Sequence, residues 1–339
     1  MISNSLCLFS QLGGINIFEF LNSPGSARLT ALGGSLIMIE DGDGSLVHQN
    51  PALSNSSMDQ KVSFNHQFHL AGIQEGMLNY GFQLDSLDIH MHVGLKYVSY
   101  GTFIQADEIG NQTGEFKANE VALFAGASKK INERVKLGAN VKLLTANYAS
   151  ENGFGIGIDL GAKYKVPGKQ WDLGIALQNV GIAFGPLHQF NRKLPLDLKI
   201  GYAFRLKHLP FRYSITGHHL YQWNIRYTDP ALDDQPAIFG EPVEENKFNA
   251  EVDNFFRHFI FAGEFLFGRR GMFNIRFGYN HLRRQELKVL SFTSLGGFSL
   301  GFGMHIKRFQ FDYGVGFYNL GGATNHLGLR INVGDDWNK

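Results

Sequence analysis

The chain has 339 residues with a formal net charge of +1 and 18% charged residues, so it lacks the basic surplus that nucleic-acid binding requires. Its one cysteine, Cys7, excludes an internal disulfide and a cysteine-ligated metal. No run of about eighteen apolar residues occurs, so no transmembrane helix is expected, although length alone would admit two soluble domains.

Residues 1–10 place Leu6, Cys7, Leu8 and Phe9 ahead of Ser10 and Gln11, the order of an apolar signal region and a small-residue cleavage site. They read as the remnant of a secretory signal without its basic start, the mature chain beginning near Gln11. Leu6 stands where a lipoprotein signal needs a small residue, so lipidation of Cys7 is not expected. From 11 to 60 the period-two signal is weak, and Gly, Ser and Asn surround short apolar stretches at 15–21 and 36–39. This is a separate unit.

Fourteen segments then alternate apolar with small or polar residues: 61–71, 76–84, 88–100, 118–127, 134–147, 153–166, 170–180, 195–206, 211–223, 257–267, 272–281, 295–306, 308–318 and 325–333. In the sixth, Phe154, Ile156, Ile158, Leu160, Ala162 and Tyr164 interleave with Gly155, Gly157, Asp159, Gly161 and Lys163. Successive strand side chains point to opposite faces, so one face is hydrocarbon and the other polar. The third sets Ile89, Met91, Val93 and Leu95 against His90, His92, Gly94 and Lys96, and the eighth sets Leu198, Ile200, Tyr202 and Phe204 against Asp197, Lys199, Gly201, Ala203 and Arg205. Lipid admits only helices and closed barrels. The expected fold is therefore all-β: a 14-stranded antiparallel transmembrane β-barrel over 61–333, with 334–339 as a tail. Its polar lumen would be lined by His90, His92, Lys96, Asp159, Lys163, Asp197, Lys199 and Arg205. A soluble sandwich with its apolar faces inward would alternate in the same way. Fourteen solvent faces so rich in Gly and poor in Glu argue against it.

Connection lengths agree with a barrel whose termini share one end: most odd connections are long, as at 101–117, 181–194, 224–256 and 282–294, and the even ones are short. Tyr97, Tyr100, Tyr148, Tyr164, Trp171, Trp223 and Tyr227 stand near span ends, as an interfacial girdle requires. About eight strands fill their own lumen with side chains, and fourteen do not. Residues 11–60 are the expected hatch. Inward glycines such as Gly155, Gly157, Gly161, Gly278, Gly301 and Gly303 either make room for it or serve strand curvature.

Short turns carry Lys129, Lys130, Lys169, Lys207, Arg269, Arg270, Lys307 and Arg308, suited to anionic head groups. The ninth connection carries Asp229, Asp233, Asp234, Glu241, Glu244 and Glu245 among prolines, either as a solvated loop or as a partner-docking one. Catalytic constellations are not found. His90 and His92 share a face without a third ligand, and His218 and His219 are expected on opposite faces of a strand. The Gly-x-Gly runs lie inside strands, without the helix that a phosphate site needs. No enzyme, cofactor or metal is expected.

The hatch region reads LGGS at 32–35, DGDG at 41–44 and HQNPAL at 48–53, and resembles the N-terminal plug of FadL-like barrels with its Asn50-Pro51-Ala52 element. Together with QLGGINIFEFL at 11–21, SARLTALGG at 26–34, FGYNHLRRQEL at 277–287 and GATNH at 322–326, the chain resembles the PorV/PorQ family of FadL-like barrels in the type IX secretion system. The resemblance implies a non-enzymatic integral protein in the outer membrane of a Gram-negative, Bacteroidetes-type bacterium. It would anchor PorZ at the cell surface, beside the PorU sortase and PorV, where cargo is released and linked to lipopolysaccharide. The competing expectation is a FadL-like transporter of hydrophobic small molecules. That role needs an apolar pocket in the lumen and a kinked strand, and the inward positions named above are mainly Gly and charged.

Overall fold

Wherever the period-two alternation is strongest, the chain forms a strand, and the strands close on themselves. The computed structural model describes residues 16–149, 151–185, 193–226, 247–268, 271–287, 294–319 and 321–334. In the first half of the sheet lie β1 (Lys61–Phe68), β2 (Gln74–Leu84), β3 (Ile89–Ala106), β4 (Gln112–Lys130), β5 (Val135–Tyr148), β6 (Glu151–Lys165) and β7 (Trp171–Phe184). The second half holds β8 (Asp197–Arg205), β9 (Phe211–Gly217), β10 (Phe259–Phe267), β11 (Phe273–Asn280), β12 (Phe298–Ile306), β13 (Phe309–Asn319) and β14 (Gly322–Asn332). Each pairs antiparallel with its sequence neighbours, and β1 pairs with β14 from Lys61↔Asn332 to Phe68↔Asn325, giving a closed fourteen-stranded barrel. Among the described residues no helix is long and apolar enough to cross a membrane.

The faces settle which side meets lipid. Ile158 is 45% exposed and Leu160 50%, whereas Asp159 between them is 0% exposed. Outward hydrocarbon and buried inward charge are the reverse of a soluble sandwich, and they fit a wall that needs no free sheet edge.

Several ends differ from expectation. β3 and β4 run on to Ala106 and from Gln112, so the expected long third connection is a hairpin closed by a turn at 107–111. β9 stops at Gly217, because the chain reverses there: His219 takes φ 54° and the His218 amide turns to the His258 carbonyl. Among the described residues, two helices stand at the end away from the short turns, α2 (Lys247–Arg257) and α3 (His281–Glu286), and they pack on each other. The periodicity predicted neither. Tyr100 and Tyr148 fall on inward parity and pack inside, so they do not belong to the girdle, and Tyr227 lies outside the described residues. Arg269, Arg270 and residues 1–15 also lie outside them.

Residues 16–60 fold as short 3-10 turns and one helical turn, α1 (Ala27–Ala31), whose first turn is capped by Ser26 Oγ accepting from the Leu29 amide at 3.2 Å. Leu29, Leu32, Leu36, Ile37, Met38, Leu46 and Leu53 pack with wall residues Ala176, Ala203 and Ala262 into one buried cluster. The molecule's apolar core thus lies between its N-terminal segment and the inner face of its own wall.

Candidate functional site in the barrel interior

The inward glycines show how closely the segment approaches the wall. A Cβ on Gly161 would stand 1.9 Å from Asn50 Oδ1, one on Gly138 2.5 Å from the Ala52 amide, and one on Gly314 2.2 Å from the Ala27 carbonyl. Gly174 and Gly201 meet Ile37 and Met38 in the same way, and Gly278 and Gly301 meet Gly33 and Ala31. Of the two expectations, room for the segment is the one the contacts support at Gly155, Gly161, Gly278 and Gly301, whereas Gly157 and Gly303 meet Leu194 and wall side chains instead.

Asn50, Pro51 and Ala52 sit against this surface. Asn50 Oδ1 accepts from the Ala52 amide at 3.0 Å and caps a 3-10 turn that begins at Pro51. Its Nδ2 donates to the Ile37 carbonyl at 2.7 Å and reaches the Ala162 carbonyl of β6 at 3.2 Å. One side chain therefore ties the turn, the rest of the segment and the wall together.

Toward the short-turn end the contact is ionic. Arg28 donates to Asp41 at 2.8 Å, to Asp43 at 3.1 Å and to Glu264 of β10 at 3.1 Å. Glu264 also pairs with Arg212 and Arg276, Arg276 with Asp312 at 2.6 Å, and Asp312 with Arg330 at 2.8 Å. Four guanidinium groups thus face four carboxylates, which is how buried charge is tolerated. Burial by itself would raise the Asp41 carboxyl, but Arg28 and Arg212 hold it down to about 2. Burial likewise opposes ionisation of Glu40, and its bonds from Lys163 at 2.8 Å and Lys136 at 2.9 Å outweigh it, so its pKa is lowered. Beneath the network a cavity of about 650 Å³ opens at this end, bordered by Lys61, Arg205, Lys307 and Arg308 among others.

Toward the opposite end the interior becomes apolar. Ile17, Phe18, Phe20 and Leu21 pack on inward Val98, Ala122, Leu144, Ala146 and Ala183 and on Leu194, with Tyr100 and Tyr148 alongside. Glu120 accepts there from the Phe18 amide at 3.1 Å and the Tyr100 hydroxyl at 2.6 Å. This corrects the expectation that inward positions are mainly Gly and charged. Beside the cluster, β7 is kinked by a bulge between its pairings to Ile158 and Leu160, with Asn179 at φ 59°. The Asn179 amide donates to Asp159 Oδ1 at 2.8 Å, and its side-chain oxygen accepts from Lys142 at 2.6 Å. Among the described residues, β7 pairs with β8 over Trp171–Gln178, and beyond that the bridge Ile182↔Lys193 joins the next segment.

The other expected lumen residues are distributed along this interior. His92, Lys96, Asp159, Lys163, Asp197 and Lys199 are buried, and His92 Nε2 meets Asn140 Oδ1 at 2.6 Å. Lys96 pairs with Glu75 at 3.3 Å and Lys142 with Asp159 at 2.8 Å. His90 is half-buried near the short turns, and Arg205 is exposed at the rim, because it is the last residue of β8. Asp229, Asp233, Asp234, Glu241, Glu244 and Glu245 lie outside the described residues. His218 and His219 are not on opposite faces: with β9 ended at Gly217, their rings converge beside Asp197. Sequence reasoning overlooked Arg28, Asp43, Glu264, Arg276 and Asp312. Inward parity of the last three was the available signal, and the alternation of the last strand already puts Arg330 on its polar face.

No protein-family model matches the sequence, and no curated protein matches it either. Solved structures do match its shape. The Pseudomonas putida toluene transporter TodX superposes with a TM-score of 0.54 at 14% identity, covering 94% of this chain and 98% of that one. The CymD monoaromatic hydrocarbon channel gives 0.54 at 13% identity over 93% and 97%. The fold is that of the TodX and CymD barrels, a FadL-like closed sheet of fourteen strands. A closed sheet with a hydrocarbon outer face is a membrane-spanning architecture, and the two matched structures are a transporter and a channel.

Proposed function

We propose that this FadL-like barrel takes up hydrophobic small molecules from outside the cell, with residues 16–60 acting as the hatch that closes its lumen and residues 1–10 as the remains of its export signal. The observation that carries this reading is the apolar cluster around Phe18, Leu144 and Leu194, set directly beside the bulge of β7. Ile17, Phe18, Phe20 and Leu21 fill this space themselves, so an apolar solute would enter by displacing them and would gain by leaving water. A sealed ionic half below would turn it sideways, toward the weakly paired seam between β7 and β8. The names of the two hydrocarbon channels fit the same solute class. The test is uptake of a labelled monoaromatic hydrocarbon by proteoliposomes. Native protein should show saturable uptake, and Leu144→Asp and Leu194→Asp should each reduce it tenfold or more. Uptake that is absent from native protein, or unchanged in both variants, rejects the reading.

A second reading is a scaffold in a Bacteroidetes-type attachment complex with PorZ, PorU and PorV, near lipopolysaccharide. It is favoured by the ionic half of the interior, since a barrel locked by Arg28, Glu264, Arg276 and Asp312 need conduct nothing. Purification from native outer membranes in mild detergent separates the two. Co-purified PorZ and PorU, lost on removal of 230–246, support the scaffold, and a bound apolar ligand without partners supports transport.

A further inference from the structure

Independently of the transport reading, we propose that Asp197, His218 and His219 form a binding site for one divalent transition-metal ion of the zinc class. Their ligand atoms, two imidazole nitrogens and a carboxylate oxygen, lie within 4.8 Å of one another. Bonds of 2.0–2.2 Å in tetrahedral array space ligand atoms about 3.3 Å apart, so the cluster closes on an ion by side-chain adjustment alone.

Three further features point to a ligand rather than to packing. The Nδ1 atoms of His218 and His219 face each other, and His218 Nε2 is buried without a hydrogen-bond partner, so at least one ring nitrogen is spent badly in the protein alone. His219 takes φ 54°, a left-handed conformation that non-glycine residues adopt rarely and that recurs at functional sites. That turn also aims the His219 amide at Asp197 Oδ1, which accepts at 2.6 Å and fixes the carboxylate toward the rings. Lys199 pairs with Asp197 Oδ2 at 3.5 Å and donates to Gln49 at 3.1 Å, and because a carboxylate oxygen has more than one lone pair, Oδ2 can still accept an ion.

Two imidazoles and one carboxylate select zinc, cobalt or nickel over calcium and magnesium, which prefer all-oxygen shells. A fourth position is left for water. The bound ion would join the first residue of β8 to the chain just past β9, where the pairing of these strands has stopped at Ile200↔Gly217.

The test uses the tag-free barrel folded in detergent and titrated with Co²⁺, then with Zn²⁺. One equivalent of Co²⁺ with visible d–d bands, displaced by Zn²⁺, is expected. His219→Ala and Asp197→Asn should each weaken binding tenfold or more, and His92→Ala should leave it unchanged. Lys199→Gln, which removes a neighbouring positive charge, should tighten it severalfold. Heat-dependent gel migration confirms that each variant is folded. If the His219 variant does not fold, X-ray absorption of the native zinc adduct reads the shell directly. No binding at about 100 µM Co²⁺, affinities unmoved by the His219 and Asp197 variants, or a shell without imidazole overturns the proposal.

Discussion

At the scale of single residues, the interior is held by groups whose removal leaves something stranded. Glu264 is 2% exposed and faces Arg28, Arg212 and Arg276. Glu264→Gln leaves buried guanidinium groups uncompensated, and the expected loss is about 3–5 kcal/mol, read from the urea midpoint of the folded barrel. Asn50→Ala removes the cap on Ala52 and the bonds to Ile37 and Ala162. Unsatisfied buried partners cost about 1–3 kcal/mol, so it should fall short of Glu264→Gln in the same measurement. A smaller change has a larger local effect: Gly161→Val puts a Cβ onto Asn50 Oδ1. It should expose 16–60 to protease while the wall keeps its heat-dependent migration.

At the scale of elements, the N-terminal segment is fastened by carboxylates that must stay ionised. Asp41 is held at about 2 and Glu40 below its ordinary value, both lower than in the unfolded chain. The contribution of both is therefore complete above about pH 4–5 and is lost as pH falls through their lowered values, which for Asp41 is about 2. Hydrogen-exchange protection over 36–49, taken relative to the intrinsic rate at each pH, should stay high at pH 5 and fall near pH 2. Equal protection at both values would show that the apolar cluster alone retains the segment.

At the scale of the whole molecule, the wall and its filling are separable. Every strand is paired on both sides, so the barrel does not need the segment for backbone satisfaction. Without the segment, inward charges would meet water, which suits them better than an empty apolar space. Deleting 16–58 should leave a barrel that inserts into planar bilayers and conducts ions severalfold better than the native chain. A deletion variant as silent as the native protein would mean that the wall collapses inward.

The sequence by itself determined the wall. Period-two alternation assigns each residue to lipid or lumen because a strand offers only two faces, and Phe154 to Tyr164 or Ile89 to Leu95 can be read with no knowledge of their neighbours. Asn50-Pro51-Ala52 stood out only by its resemblance to the plug of FadL-like barrels, and that Asn50 caps a 3-10 turn there is a finding of the structure. What meets inside the wall was decided only by tertiary structure. Arg28 finds Glu264 across 236 positions of sequence, and which inward carboxylate it meets depends on the register of nine intervening strands. His218 and His219 alternate on paper, and they converge on Asp197 because one backbone dihedral ends the strand between Gly217 and His219. Periodicity carries faces along a strand, but partners across a closed sheet are fixed by closure itself.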